Sequence, residues 1–192
     1  GRPLSIVWEA ENIPAIVEAW EPGMYGGQAV AEVLFGDVNP SAKLAMSFPR
    51  SAGHIQTYYN HKAMHYYHPY RVTSSDPLWP FGHGLSYSEF VYEGLALSAD
   101  EMTSADSVKV QITVKNDSDR AGKETVMLYM RDLVASTARP IQQMIAFEKV
   151  EFAPGETKVV EFTIEEPMLR FWNNRNQFVS EPGTFAISTG YA

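Results

Sequence analysis

Three of the five histidines lie in the stretch "HKAMHYYHPY" (61–70), at His61, His65 and His68, beside Tyr66, Tyr67 and Tyr70. Spacings of four and three would put the imidazoles on one face of a helix, the arrangement a zinc ion asks for. Two features speak against it. No Glu follows His61, as H-E-x-x-H requires, and Tyr66, Tyr67 and Pro69 disfavour a stable helix. The stretch reads as a polar, aromatic loop at a cleft or interface, with no metal and no cofactor. Aromatic faces stack on the apolar side of a pyranose and imidazoles hydrogen-bond its hydroxyls, so His65, Tyr66, Tyr67 and His68 are candidate sugar contacts. A wall packed between two units is the competing reading.

A second candidate is the glycine-rich "PGMYGG" (22–27). Glycines before a helix can expose N–H groups to an anion. The G-x-x-x-x-G-K-[ST] pattern is missing, however, and a tight strand-to-helix turn explains the glycines as well. Such a turn at the carboxyl end of a strand is where ligands of open α/β sheets sit, which makes Trp20, Glu21 and Tyr25 candidates for lining a cleft. Glycoside cleavage needs paired carboxylates. Glu18, Glu21 and Asp37 are available, but no spacing singles out an acid and a nucleophile. Ser86 lies near His83 in "FGHGLSY" without the G-x-S-x-G elbow. The residues alone offer no complete active site.

These groups sit in a chain of 192 residues with ordinary globular composition, 45% apolar and 20% charged. A formal charge of −8, with no basic run, excludes nucleic acid as the natural partner. The absence of cysteine excludes disulfides, thiolate nucleophiles and Cys-ligated zinc. No apolar run reaches the roughly 18 to 20 residues that span a bilayer. The chain starts at Gly1 inside a patterned segment and reads as part of a longer protein.

The elements fall into two styles. Residues 1–50 read as α/β: "LSIVW" (4–8) and "AIVEAW" (15–20) as strands, "QAVAEVLFG" (28–36) as a helix stopped by Gly36, and "LAMSFP" (44–49) as a short edge strand. Residues 51–80 show little periodicity. From about Leu85 the pattern is all-β, with six alternating or apolar runs (89–98, 107–116, 124–132, 141–152, 157–165 and 183–192) punctuated by "NDSD", "APGE" and "SEPG". That spacing indicates an antiparallel sandwich of the immunoglobulin or fibronectin III kind. Alternation places Val110, Ile112, Val114, Leu128, Phe147, Val160, Phe162, Phe185 and Ile187 inward.

Several stretches together resemble the C-terminal part of family 3 glycoside hydrolases, the β-glucosidases and β-xylosidases, and most of all the periplasmic bacterial β-glucosidases. They are "GRPL" (1–4), the long run from Ala15 to Ile55 containing "WEPGMYGG" and "VLFGDVNPSAKLAMSFPRS", "YYNHK" (58–62), "LWPFGHGLSYSEF" (78–90), "RPIQQMIAFEKVEFAPGET" (139–157) and "EPGTFAISTG" (181–190). The resemblance implies the end of an α/β-sandwich domain at 1–55, a linker or cleft-rim loop at 56–75 and a fibronectin type III-like domain at 76–192. It implies a retaining, exo-acting enzyme that removes terminal non-reducing β-D-glucosyl residues from β-glucosides and oligosaccharides in the periplasm or outside the cell. Its Asp nucleophile and Glu acid/base would lie upstream of Gly1, so no catalytic residue is assigned here. The implied partners are the substrate and the barrel and α/β domain of the same protein, with a homodimer left open.

The sequence departs from the family at Ala42 and Ala45, where Gly and Pro are usual, at Glu21, where an aromatic is common, and at "AMHYYHPY", which replaces a segment often written with Thr-Gly-Arg-Pro. Those departures leave β-xylosides and longer glucans open as substrates. The alternative of another class is a non-catalytic β-sandwich module that binds polysaccharide or protein.

Overall fold

The structure is a computed structural model that describes residues 2–54, 57–63 and 74–190. The described chain divides into two compact units. The first takes residues up to 59 and then 74–87; the second takes 60–63 and 88–190.

In the first unit α1 (Val7–Asn12) stands where a strand was expected at 4–8. Ile6, Val7 and Trp8 favour strands, but the Glu-Ala-Glu that follows favours helix, and among the described residues no ladder overrides it. Ala10 N–H donates to Ile6 O (3.0 Å) and Ile13 N–H to Glu9 O (2.8 Å). Residues 15–20, also expected as a strand, form no regular structure. An apolar run becomes a strand only beside a partner, and none pairs with it among the described residues.

Helix α2 (Gly26–Phe35) meets its expectation, ending at Gly36 in the left-handed region (φ 83°) with its N–H on Val33 O. The helical pattern puts Ala29, Val30, Val33 and Leu34 on one stripe, of which Val30 and Val33 are partly buried while Ala29 and Leu34 are exposed.

The edge strand expected at 44–49 appears as an isolated bridge at Phe48, whose partner is Trp79. Phe48 N–H donates to Trp79 O (2.8 Å), Leu78 N–H to Phe48 O (2.7 Å), Leu44 N–H to His83 O (2.7 Å) and Gly82 N–H to Leu44 O (2.8 Å). This pairing places 76–87 in the first unit rather than in the β-unit expected to start at 76.

The second unit holds β1 (Phe90–Leu97), β2 (Ser107–Asn116), β3 (Gly122–Asp132), β4 (Gln143–Phe152), β5 (Thr157–Glu165), β6 (Phe171–Trp172), β7 (Phe178–Val179) and β8 (Phe185–Thr189). One sheet runs β1-β2-β5 and the other β4-β3-β8, with β6-β7 a small hairpin, and every pairing is antiparallel. The core cluster draws on both sheets: Val110, Ile112, Val114, Leu128, Val160 and Phe162 are buried as expected, and Phe185 and Ile187 pack on it from its edge.

Phe147 does not join them; it is 63% exposed. Along β4 the inward residues are Phe152 and Val150, and Phe147 shares the opposite parity with Lys149 and Glu151. A register shift opposite Leu128/Tyr129 then lets both Ile145 and Ala146 reach the core. The apolar run "MIAF" hides this change of phase.

Fully buried Asn116 ties the strand ends together. Its Nδ2 donates to Arg120 O (2.7 Å) and Ala153 O (3.1 Å), and its Oδ1 accepts from Ser118 N–H (3.1 Å).

Candidate functional site

Of the described candidates, Trp20 lies against a row of aromatic rings in the first unit, and Glu21 and Tyr25 are not brought to it. Trp20 lies in the left-handed region (φ 49°), rare for a bulky residue, and its N–H donates to Glu18 Oε1 (2.9 Å). This backbone carries the indole to 5.9 Å from the ring of buried Phe48, yet leaves Trp20 39% exposed. Phe48 meets Trp79 edge-on at 5.5 Å, and Trp79 stacks on the His83 ring at 6.1 Å. Trp20, Phe48, Trp79 and His83 thus form one continuous row of rings. Beside it Tyr59 stacks on Phe81 at 4.2 Å.

Backbone pairing of 44–48 with 78–83 holds the row, with three side-chain ties. Ser47 Oγ accepts from Phe81 N–H (3.0 Å). Asn39 Oδ1 accepts from Ser86 Oγ and Tyr87 N–H, both at 2.8 Å. Tyr87 donates its hydroxyl to Val33 O (2.6 Å), which fastens the segment to α2. Ser86 is therefore a structural donor, with no nucleophile's geometry. Burial, then the charge of Lys43, lowers the pKa of His83, so its imidazole is neutral at neutral pH. Lys43 Nζ itself donates to Gly84 O (2.9 Å).

Glu21 and Tyr25 are solvent-exposed, Tyr25 at the N-cap of α2. The turn between them is a packing turn: Gly26 N–H donates to Gly23 O (3.1 Å), and a Cβ on Gly26 would come within 2.5 Å of Pro22 Cγ. A glycine at 26 lets the helix start against the proline, which accounts for it without an anion. His65, Tyr66, Tyr67 and His68 lie outside the described residues. Among the described residues no group of three His, Cys, Asp or Glu could hold a metal ion.

What the sequence reading missed is the partnership of "KLAMSFP" with "LWPFGHG", and with it the places of Trp79 and His83. The signal was available in Phe48 and Trp79, each an aromatic followed directly by proline.

The glycosyl hydrolase family 3 C-terminal domain matches residues 1–87, and the fibronectin type III-like domain matches residues 124–191. Residues 1–87 carry the C-terminal domain of the family 3 glycosyl hydrolases. The chain is 41% identical over 200 residues to a periplasmic beta-glucosidase of Salmonella typhimurium, covering 99% of this chain and 26% of the relative. It is 42% identical over 193 residues to a beta-xylosidase of Formosa agariphila, covering 99% of this chain and 27% of that protein. Among solved structures, beta-glucosidase from Listeria innocua in complex with glucose superposes with a TM-score of 0.93 at 38% identity, over 98% of this chain and 28% of that one. The chain thus spans about a quarter of the length of the curated relatives it matches. No helix among the described residues is long and apolar enough to cross a membrane.

Proposed function

We propose that this chain is the C-terminal portion of a retaining, exo-acting β-glycosidase that removes terminal non-reducing β-D-glucosyl residues in the periplasm or outside the cell. The observation that carries the reading is a similarity at about two-fifths identity, along nearly the whole chain, to a β-glucosidase about four times as long. In this proposal an Asp nucleophile and a Glu acid/base reside in the part of the protein preceding residue 1. This chain then supplies the aromatic row, with Trp20, Glu21 and Tyr25 near the sugar and His65, Tyr66, Tyr67 and His68 at the cleft rim. A β-xyloside is the second substrate reading, favoured by the 42% identity to a β-xylosidase.

The test is a comparison of the whole enzyme with the purified chain on aryl β-glucosides and β-xylosides. Turnover by the whole enzyme, with β-configured product formed first, supports the reading, and the higher kcat/KM names the sugar. The chain alone should show no turnover. Hydrolysis by residues 1–192 alone, abolished by changing one of its own carboxylates, would overturn the placement of the catalytic pair. An inert whole protein that still binds polysaccharide would establish the binding module instead.

A further inference from the structure

In the second unit, the chain at 60–63 lies against the loop between β3 and β4. Lys62 forms an isolated antiparallel bridge with Pro140, and Ile141 N–H donates to His61 O (2.9 Å). Pro140 has no N–H to add, and a single backbone hydrogen bond contributes little by itself. Arg139, the neighbour of Pro140 and Ile141, is tied to three other parts of the same unit.

The Arg139 guanidinium lies 4.4 Å over the ring of Phe171, which is buried, and donates to Gln143 Oε1 (3.3 Å). It also faces Asp132, Nε to Oδ2 at 3.8 Å, with side-chain exposures of 16% and 4%. That distance is an ion pair without a hydrogen bond, and Arg139 Nε and Asp132 Oδ1 find no hydrogen-bond partner among the described residues. A buried pair so loosely satisfied is a poor stabiliser compared with apolar residues of the same volume. Its three contacts, at the end of β3, the start of β4 and β6, instead fix the direction of the loop. Farther along the loop, Ser136 N–H and Oγ both donate to Glu181 (2.8 and 2.6 Å), which pins its other half.

We propose that Arg139 is a positioning residue: it preorganises Pro140 and Ile141 so that the fibronectin-like unit captures residues 60–63, the segment with which the histidine- and tyrosine-rich stretch begins. Sequence separation hides this link, since the two partners are nearly eighty positions apart. The functional half, that this capture tunes sugar binding, rests on the proposed glycosidase reading.

The test replaces Arg139 by Met, which keeps the stem, and separately Asp132 by Asn, which keeps the shape. In residues 1–192, amide exchange should accelerate about tenfold at Ile141 and across 57–63 while β2, β3 and β5 keep their protection. Arg139→Lys, with charge but no planar fork, should restore only part of it. Unchanged exchange at Ile141 in both variants, or uniform loosening of the whole β-unit, would overturn the tether. In the whole enzyme, Arg139→Met should raise KM for an aryl β-glucoside several-fold with kcat within twofold. Accelerated exchange with an unchanged KM would overturn the positioning role. A wild-type enzyme without glycosidase activity would instead sink the proposed function, leaving the exchange result to decide the tether.

Discussion

Gly84 stands where two backbone segments nearly touch: a Cβ there would lie 2.4 Å from Ala42 O and 3.2 Å from Lys43 Cα. Neither neighbour is a movable side-chain tip. Gly84→Ala should therefore destabilise the pairing of 44–48 with 78–83 by about 1–3 kcal/mol, the usual cost of overpacking, read as a lower thermal midpoint. Glu166 offers a pH-dependent test. Its hydrogen bonds from Arg170 and then Ser180 hold its carboxyl below the ordinary 4.5. A depressed carboxyl stabilises the fold above its unfolded pKa, and the benefit disappears as pH falls through the folded value. The unfolding midpoint should drop on acidification below about 4.5, and Glu166→Gln should narrow its deficit against wild type over the same window. A constant deficit down to low pH would assign the loss to packing. Asp132 runs the other way, because burial outweighs Arg139 and raises its pKa, so its ionisation costs stability as pH rises.

At the scale of elements, β5 and β4 provide a matched pair of substitutions. Phe162 is 8% exposed and packs in the core, whereas Phe147 is 63% exposed. Phe162→Ala should cost about 3–5 kcal/mol, and Phe147→Ala should stay within about 0.5 kcal/mol, both measured by chemical denaturation. Equal costs would mean that Phe147 is covered in solution. The β-unit was legible where strict alternation held: Val108, Val110, Ile112 and Val114 announce the inward face of β2. It became illegible at "MIAF", where an apolar run gives no phase and a bulge shifts it. The two-residue strands β6 and β7 are too short for any periodicity to register. In the first unit α2 could be read from its Gly-rich start and its Gly36 stop. The segments at 4–8 and 15–20 could not, because their apolar residues suit helix, strand or packed coil until a neighbour decides. For the same reason the row Trp20–Phe48–Trp79–His83 was only partly visible: Trp20 drew notice by its turn, but Phe48 is distant in sequence from both Trp20 and Trp79, and such ring neighbours leave no local pattern.

For the whole enzyme, the proposed sugar contacts predict a split between binding and stability. Trp20→Ala and Tyr67→Ala should each raise KM about fivefold, the equivalent of roughly 1 kcal/mol for an aromatic contact. Thermal midpoints that fall while KM holds would mark both rings as packing groups. At this scale the path of the chain also matters. It passes from the first unit to the second after residue 59, is back in the first at 74–87, and enters the second again at Ser88. Modular transplantation, the ordinary way to move a fibronectin-like domain between proteins, would cut at 87/88 and leave residues 60–63 behind. The graft would keep both sheets but carry Ile141 with its N–H deprived of the His61 carbonyl. Two cuts, or a circular permutation that carries 60–63 along, would be needed to exchange the unit intact, so recombination at a single crossover is disfavoured within this region.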